Sequence, residues 1–148
     1  MRIAAIDIGT NSLHMIVCRV REDLSFDVID REKDMIRLGS GGLDGRGLAN
    51  ANMTAAIQTL SKFAQIAAAQ GADEVIAAAT SAVREAENGA AFVTAVQHAV
   101  GLRVRVISGT EEARLIHLAA GYACNLGQGP GVVIDIGGGS TEITIGSA

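Results

Sequence analysis

Val133-Ile134-Asp135-Ile136-Gly137-Gly138-Gly139-Ser140-Thr141-Glu142 reads as strand, tight turn, strand: apolar β-formers carry a carboxylate into a run of glycines, then come two hydroxyls and a second carboxylate. Such a turn is a cradle for phosphate. Glycines let the backbone approach an anion and aim successive N–H groups at it, Ser140 and Thr141 add hydroxyl donors, and Asp135 with Glu142 offers hard oxygen ligands to a divalent cation. The plan occurs twice. Near the N-terminus, Ala5-Ile6-Asp7-Ile8-Gly9-Thr10-Asn11-Ser12 again runs an apolar strand with Asp into small turn residues and Ser, before the apolar strand from Leu13 to Val20. A single glycine-rich hairpin most often only reverses the chain. Two copies with Asp in the same register point to a shared phosphate site.

The composition narrows the setting. A chain of 148 residues fits one domain with a sizeable core. With 49% hydrophobic residues and 18 glycines it suits a compact α/β protein and argues against disorder. A net charge of −4 gives no general reason to bind nucleic acid or an anionic membrane, so a polyanion must be held by a local site. Cys18 and Cys124 lack metal-ligand spacing and read as buried small hydrophobes in a reducing cytosol. No apolar run reaches the roughly 18 residues of a membrane span, and Met1-Arg2 leads straight into a strand, so the cytoplasm is the expected location.

Taken in order, Arg2–Ile8 is a central strand, apolar on both faces, joined through Gly9–Ser12 to a second strand, Leu13–Arg21. A third, Phe26 to Ile36, carries alternating charges and reads as a half-exposed strand near the sheet edge with a solvated face. The glycine-dense stretch from Leu38 to Leu48 lacks the order of a nucleotide P-loop and reads as a connection. Met53, Ala56, Ile57, Leu60, Phe63, Ala64 and Ala67 recur at helical spacing, with Gly71 where a C-terminal cap belongs. Val75–Ala79 is a short buried strand, and the turn Ala79–Glu85 lies at its C-terminal end, where open α/β sheets place ligand contacts. Arg84 is the basic residue to single out there. From position alone, an ordinary surface arginine is the second reading. A second helix, Ala90 to Val100, turns Phe92, Val93, Val96 and Ala99 inward and ends at Gly101, before a strand from Arg103 to Ile107. A third helix opens with Thr110 as the expected N-cap. Glu111 and Glu112 in its first turn are favoured by the helix dipole alone, and side chains about 100° apart let at most one of them face a given phosphate. Arg114 reads as a solvent-facing partner. Leu126–Pro130 is the expected hinge.

Among the histidines, His14 follows the first turn and is the one that could lie near a ligand there, whereas His98 and His117 read as helix-surface or boundary residues. No Ser-His-Asp arrangement or nucleophile elbow is present. The elements assemble as an antiparallel three-stranded meander, then helix, strand, helix, strand, helix, and a final hairpin that begins the same plan again.

At this level the chain resembles a known family. Asp7–Ser12, Ser108-Gly109-Thr110-Glu111-Glu112-Ala113-Arg114-Leu115-Ile116 and Val133–Glu142, in this order and at these separations, are similar to the exopolyphosphatase and guanosine pentaphosphate phosphohydrolase family, of the superfamily of sugar kinases, actin and heat-shock chaperones. The resemblance implies an α/β ribonuclease-H-like (actin-like ATPase) lobe with a mixed five-stranded sheet in residues 1–126. It also implies the loop and opening hairpin of a second, similar lobe in 127–148. Gly9, Thr10, Asn11 and Ser12 match the first phosphate loop, and Gly137, Gly138, Gly139, Ser140 and Thr141 match the second. Glu112 matches the glutamate that activates water, and Arg84 an arginine that contacts phosphate. Asp135 and Glu142, with Asp7 nearby, match carboxylates for Mg2+ or Mn2+, and K+ stays open. The implied partner is polyphosphate or guanosine pentaphosphate, with neither nucleic acid nor membrane. The piece alone is expected to turn over poorly and to self-associate as a homodimer through its exposed apolar surface.

The paired phosphate hairpins alone would equally allow a sugar or acid kinase, or a nucleotide-binding module that uses phosphate contacts as a switch. The Glu111-Glu112 motif resembles the phosphatase version.

Overall fold

The computed structural model describes residues 1–41, 46–124 and 129–146. Three strands, β1 (Arg2–Ile8), β2 (Ser12–Val20) and β3 (Phe26–Met35), form the antiparallel meander. After α1 (Asn50–Ala69), β4 (Glu74–Ala79) pairs parallel to β1. Then α2 (Ser81–Glu85) and α3 (Gly89–Val100) lead to β5 (Val104–Val106), parallel to β4. The result is a mixed five-stranded sheet in the order β3-β2-β1-β4-β5. The chain continues through α4 (Gly109–Ala123) into β6 (Gly131–Ile136) and β7 (Thr141–Gly146), an antiparallel pair forming a sheet of its own. The expected boundary at 126/127 and residues 126–128 of the expected hinge lie outside the described residues, as do residues 42–45 of the glycine-dense stretch.

Strand alternation decides which face does what. Ala4, Ile6 and Ile8 of β1, with Leu13, Met15 and Val17 of β2, are buried together with Leu60 and Phe63 of α1 and Phe92 and Val96 of α3. The next residue along each strand points the other way. Asp7, Ser12 and His14 therefore stand on the opposite face, where α4 lies. Of the four residues predicted to face inward on α3, Ala99 is exposed. The helix presents a narrower stripe, ended by Gly101 in the left-handed conformation at φ +73°.

The charges of β3 are only partly solvated. Asp30, Glu32 and Asp34 share the strand face turned to α1, where Gln70, Lys62 and Thr59 bond to them in turn at 3.0, 3.0 and 3.3 Å. Cys18 is buried as expected, but Cys124, just beyond α4, is exposed. Sequence polarity does not report where a helix end stops being covered.

Two further details fix loops around the sheet. Asn88 brackets Leu48, accepting from its N–H at 2.8 Å and donating to its carbonyl at 2.9 Å. Arg37, at φ +54°, bonds through its N–H to the Asn11 carbonyl at 2.7 Å, so the Gly9–Ser12 turn is buttressed by a residue in a sparsely populated backbone region.

Candidate active site

The two turns share their geometry. Gly9 N–H donates to the Ser12 carbonyl at 3.1 Å, and Gly137 N–H donates to the Ser140 carbonyl at 3.0 Å. Pairing follows the same register: Asp7 lies across from His14, and Asp135 across from Glu142. The repeated plan in the sequence is thus a repeat in space, with His14 standing where the second copy has Glu142.

These turns meet across a cleft. Asp7, Gly9, Thr10, Asn11, Ser12, Glu112, Asp135, Gly137, Gly138 and Ser140 all line one cavity of about 740 Å³. The close approach depends on missing side chains. A Cβ at Gly138 would overlap the Asn11 amide, and one at Gly139 would lie 2.6 Å from Thr10 Oγ1. His14 also lines the cleft, with Nε2 2.8 Å from Ser12 Oγ.

Glu112 reaches the cleft because α4 starts beside it. The N-cap is Ser108 rather than Thr110: its hydroxyl accepts from Glu111 N–H at 3.2 Å, while Glu112 N–H bonds to the Ser108 carbonyl at 2.9 Å. Both residues are good caps two positions apart, and the loop from β5 sets which one is used. Glu111 and Glu112 then diverge as their helical offset requires. Glu111 turns outward to Arg114 and Arg105, and the Arg114 hydrogen bond holds its carboxyl below the usual range. Glu112 turns inward, its Oε2 accepting from Arg84 Nη1 at 3.0 Å. Arg84 is fixed further by donating to the Ile107 carbonyl and to Glu85, each at 3.0 Å. Arg84 is thus tied to Glu112 rather than being a free surface arginine.

The carboxylates interact. Asp7 is raised from its ordinary value of 3.8, first by desolvation at the cleft floor and then by the charges of Glu112 and Asp135, against a lowering by His14. A carboxyl raised on folding costs stability above its folded pKa and nothing below its unfolded one. Asp7→Asn is therefore expected to raise the thermal midpoint at pH 7 in chelator, with the gain fading as the pH falls toward 3.8. A lowered midpoint at pH 7 would show that the charge is instead well solvated or paired.

Three hard carboxylates around one cleft suit a divalent cation shared with phosphate oxygens. Among the described residues no group of three or more His, Cys, Asp or Glu side chains is gathered tightly enough to hold an ion by itself. A magnesium-type ion bound by one or two carboxylates plus phosphate does not require one. Asp7 and Asp135 fit that role. Glu142, expected beside them, turns instead into the groove between α4 and β7, with Thr141, Thr144 and His117. Its Oε2 is buried without a hydrogen-bond partner among the described residues. His117, read as a surface or boundary residue, is 9% exposed, its Nδ1 2.8 Å from Thr144 Oγ1, so it ties α4 to β7. Its burial comes from the docking of β7, which helix periodicity does not report.

The α/β fold with its mixed five-stranded sheet is the actin-like ATPase architecture. The sequence pattern of the Ppx/GppA phosphatase family matches residues 16–148, and the chain belongs to that family. It is 38% identical over 144 residues to a guanosine-5'-triphosphate,3'-diphosphate pyrophosphatase of Pseudoalteromonas atlantica, covering 97% of this chain and 28% of that relative. An exopolyphosphatase from Cytophaga hutchinsonii superposes with a TM-score of 0.93 at 34% identity, over 99% of this chain and 47% of its own. The Aquifex aeolicus PPX-GPPA enzyme gives 0.89 at 32%, over 99% and 48%. The ethanolamine utilization protein EutJ from Carboxydothermus hydrogenoformans, 17% identical at a TM-score of 0.55 over 99% and 48%, shares the fold alone. The chain thus spans 28% of the curated relative and just under half of these solved ones.

Proposed function

We propose that this chain supplies the first lobe and the opening hairpin of the second in a phosphatase that hydrolyses the terminal phosphoanhydride of polyphosphate or guanosine pentaphosphate. The observation that carries the reading is the single cleft on which Asp7, Asp135, Glu112 and both glycine turns converge. In this mechanism Glu112 takes a proton from a water whose oxygen attacks the terminal phosphorus in line. The bridging P–O bond breaks and the shortened chain leaves with the electron pair. The N–H groups and hydroxyls of Gly9–Ser12 and Gly137–Ser140 take up charge on the phosphoryl oxygens, and Arg84 shares in it. A divalent cation held by Asp7, Asp135 and phosphate oxygens, Mg2+ or Mn2+, would supply further charge neutralisation.

Asp135→Asn is expected to raise the metal concentration for half-maximal activity by about tenfold or more. An unchanged titration removes Asp135 from the ion site.

The exposed outer face of the hairpin, Val132, Ile134, Ile136, Ile143 and Ile145, supports both parts of the domain reading: a second lobe would cover it, and left bare it favours a homodimer. A cytoplasmic setting belongs to the same reading, supported by the free thiols of Cys18 and Cys124. Among the described residues no helix is long and apolar enough to cross a membrane.

The test is phosphate release with magnesium from long-chain polyphosphate, guanosine pentaphosphate, and ATP with a panel of sugars, for the 148-residue chain and for the protein with its second lobe. Release from either of the first two by the two-lobed protein, with slow turnover by the chain alone, is the expected result. ATP-dependent phosphorylation of a sugar, without such release, would replace the phosphatase with a kinase.

A further inference from the structure

Three separate segments meet at one pair of hydroxyls. Thr10 Oγ1, in the first turn, lies 2.9 Å from Ser81 Oγ, at the start of α2. Ser81 is only 4% exposed. The third segment is the second glycine turn, where a Cβ at Gly139 would stand 2.6 Å from Thr10 Oγ1 and 2.7 Å from Ser81 Oγ. Ser81 also borders two cavities, the cleft and a neighbouring one of about 440 Å³.

We infer that Ser81 is a positioning residue for phosphate binding, joining the two turns into one gripping surface through the Thr10–Ser81 pair on which Gly139 is seated. The inference rests on the phosphatase reading and names a residue that reading did not use. A hydroxyl has one hydrogen and two lone pairs, so within the pair only one member donates to the other. When Ser81 donates to Thr10, the Thr10 hydrogen is left to point into the cleft, at a phosphate oxygen. Ser81 thereby sets the direction of a donor it does not itself supply. Its bulk also limits how far the second turn can advance.

Loss of this partner is measured by calorimetry with inorganic tripolyphosphate and magnesium, beside steady-state kinetics. Ser81→Ala is expected to weaken binding about fivefold and to raise KM with kcat little changed, the scale of one net hydrogen bond. Thr10→Val should cost much less in the Ser81→Ala background than in the wild type, because the two act as a unit. Gly139→Ala, which places a methyl group against both hydroxyls, should raise KM in the same way. Amide exchange at Gly138 and Gly139 gives a reading that needs no ligand, and it should quicken in Ser81→Ala. A merely structural serine would lower the thermal midpoint while leaving affinity, KM and the exchange of the second turn unchanged. That result overturns the inference. Failure of the wild type to bind tripolyphosphate would instead overturn the phosphatase reading, and the exchange measurement would still decide whether Ser81 seats the second turn.

Discussion

Glu112→Gln is expected to lower turnover by about a thousandfold while leaving tripolyphosphate affinity within a few fold, the scale typical of removing a positioned general base. The substitution keeps the shape of the side chain and its ability to accept from Arg84, 3.0 Å away, so the local packing should hold. What it removes, in the proposed mechanism, is the capacity to take a proton from the attacking water. Glu111 cannot substitute, because it is turned outward and held by Arg105 and Arg114. Kinetics and calorimetry on the same two-lobed preparation check the split. Turnover within tenfold of wild type would remove Glu112 from the mechanism.

Phe63→Ala is expected to cost about 3–5 kcal/mol of folding stability, the usual range for truncating a buried aromatic ring. Phe63 is completely buried in the cluster where α1 meets the core face of the sheet, together with Leu60, Leu13 and Met15. The ring belongs to the layer that holds β1 and β2 in place, and the Gly9–Ser12 turn links those two strands. A urea titration measures the loss. A loss below about 1 kcal/mol would mean that the site collapses around the deletion, contrary to the close packing of this face.

The sequence made the sheet readable because period-two alternation and turn residues speak to local structure. Asp7 and Asp135 announce themselves as carboxylates in otherwise apolar strands, each two residues before the first turn glycine. The divergence of Glu111 and Glu112 also follows from helix geometry. What escaped reading depends on contacts between distant segments. Ser81 looks like any residue after a strand until Thr10 and Gly139 are brought against it. Asn88 gives no local sign that it brackets Leu48, 40 positions away. Glu142 shares the pleat face of Asp135 yet lies in the groove beside α4, a choice set by how β7 docks. Near the cap, Ser108 and Thr110 are chemically equivalent candidates, and only the path of the preceding loop separates them.

The central claim is that the two repeated turns act on one phosphate group. It is tested most directly by following backbone amide resonances during titration with tripolyphosphate and magnesium. The account predicts that Gly9–Ser12 and Gly137–Thr141 shift together with a single dissociation constant. Shifts confined to one turn, or two turns titrating independently, would contradict it.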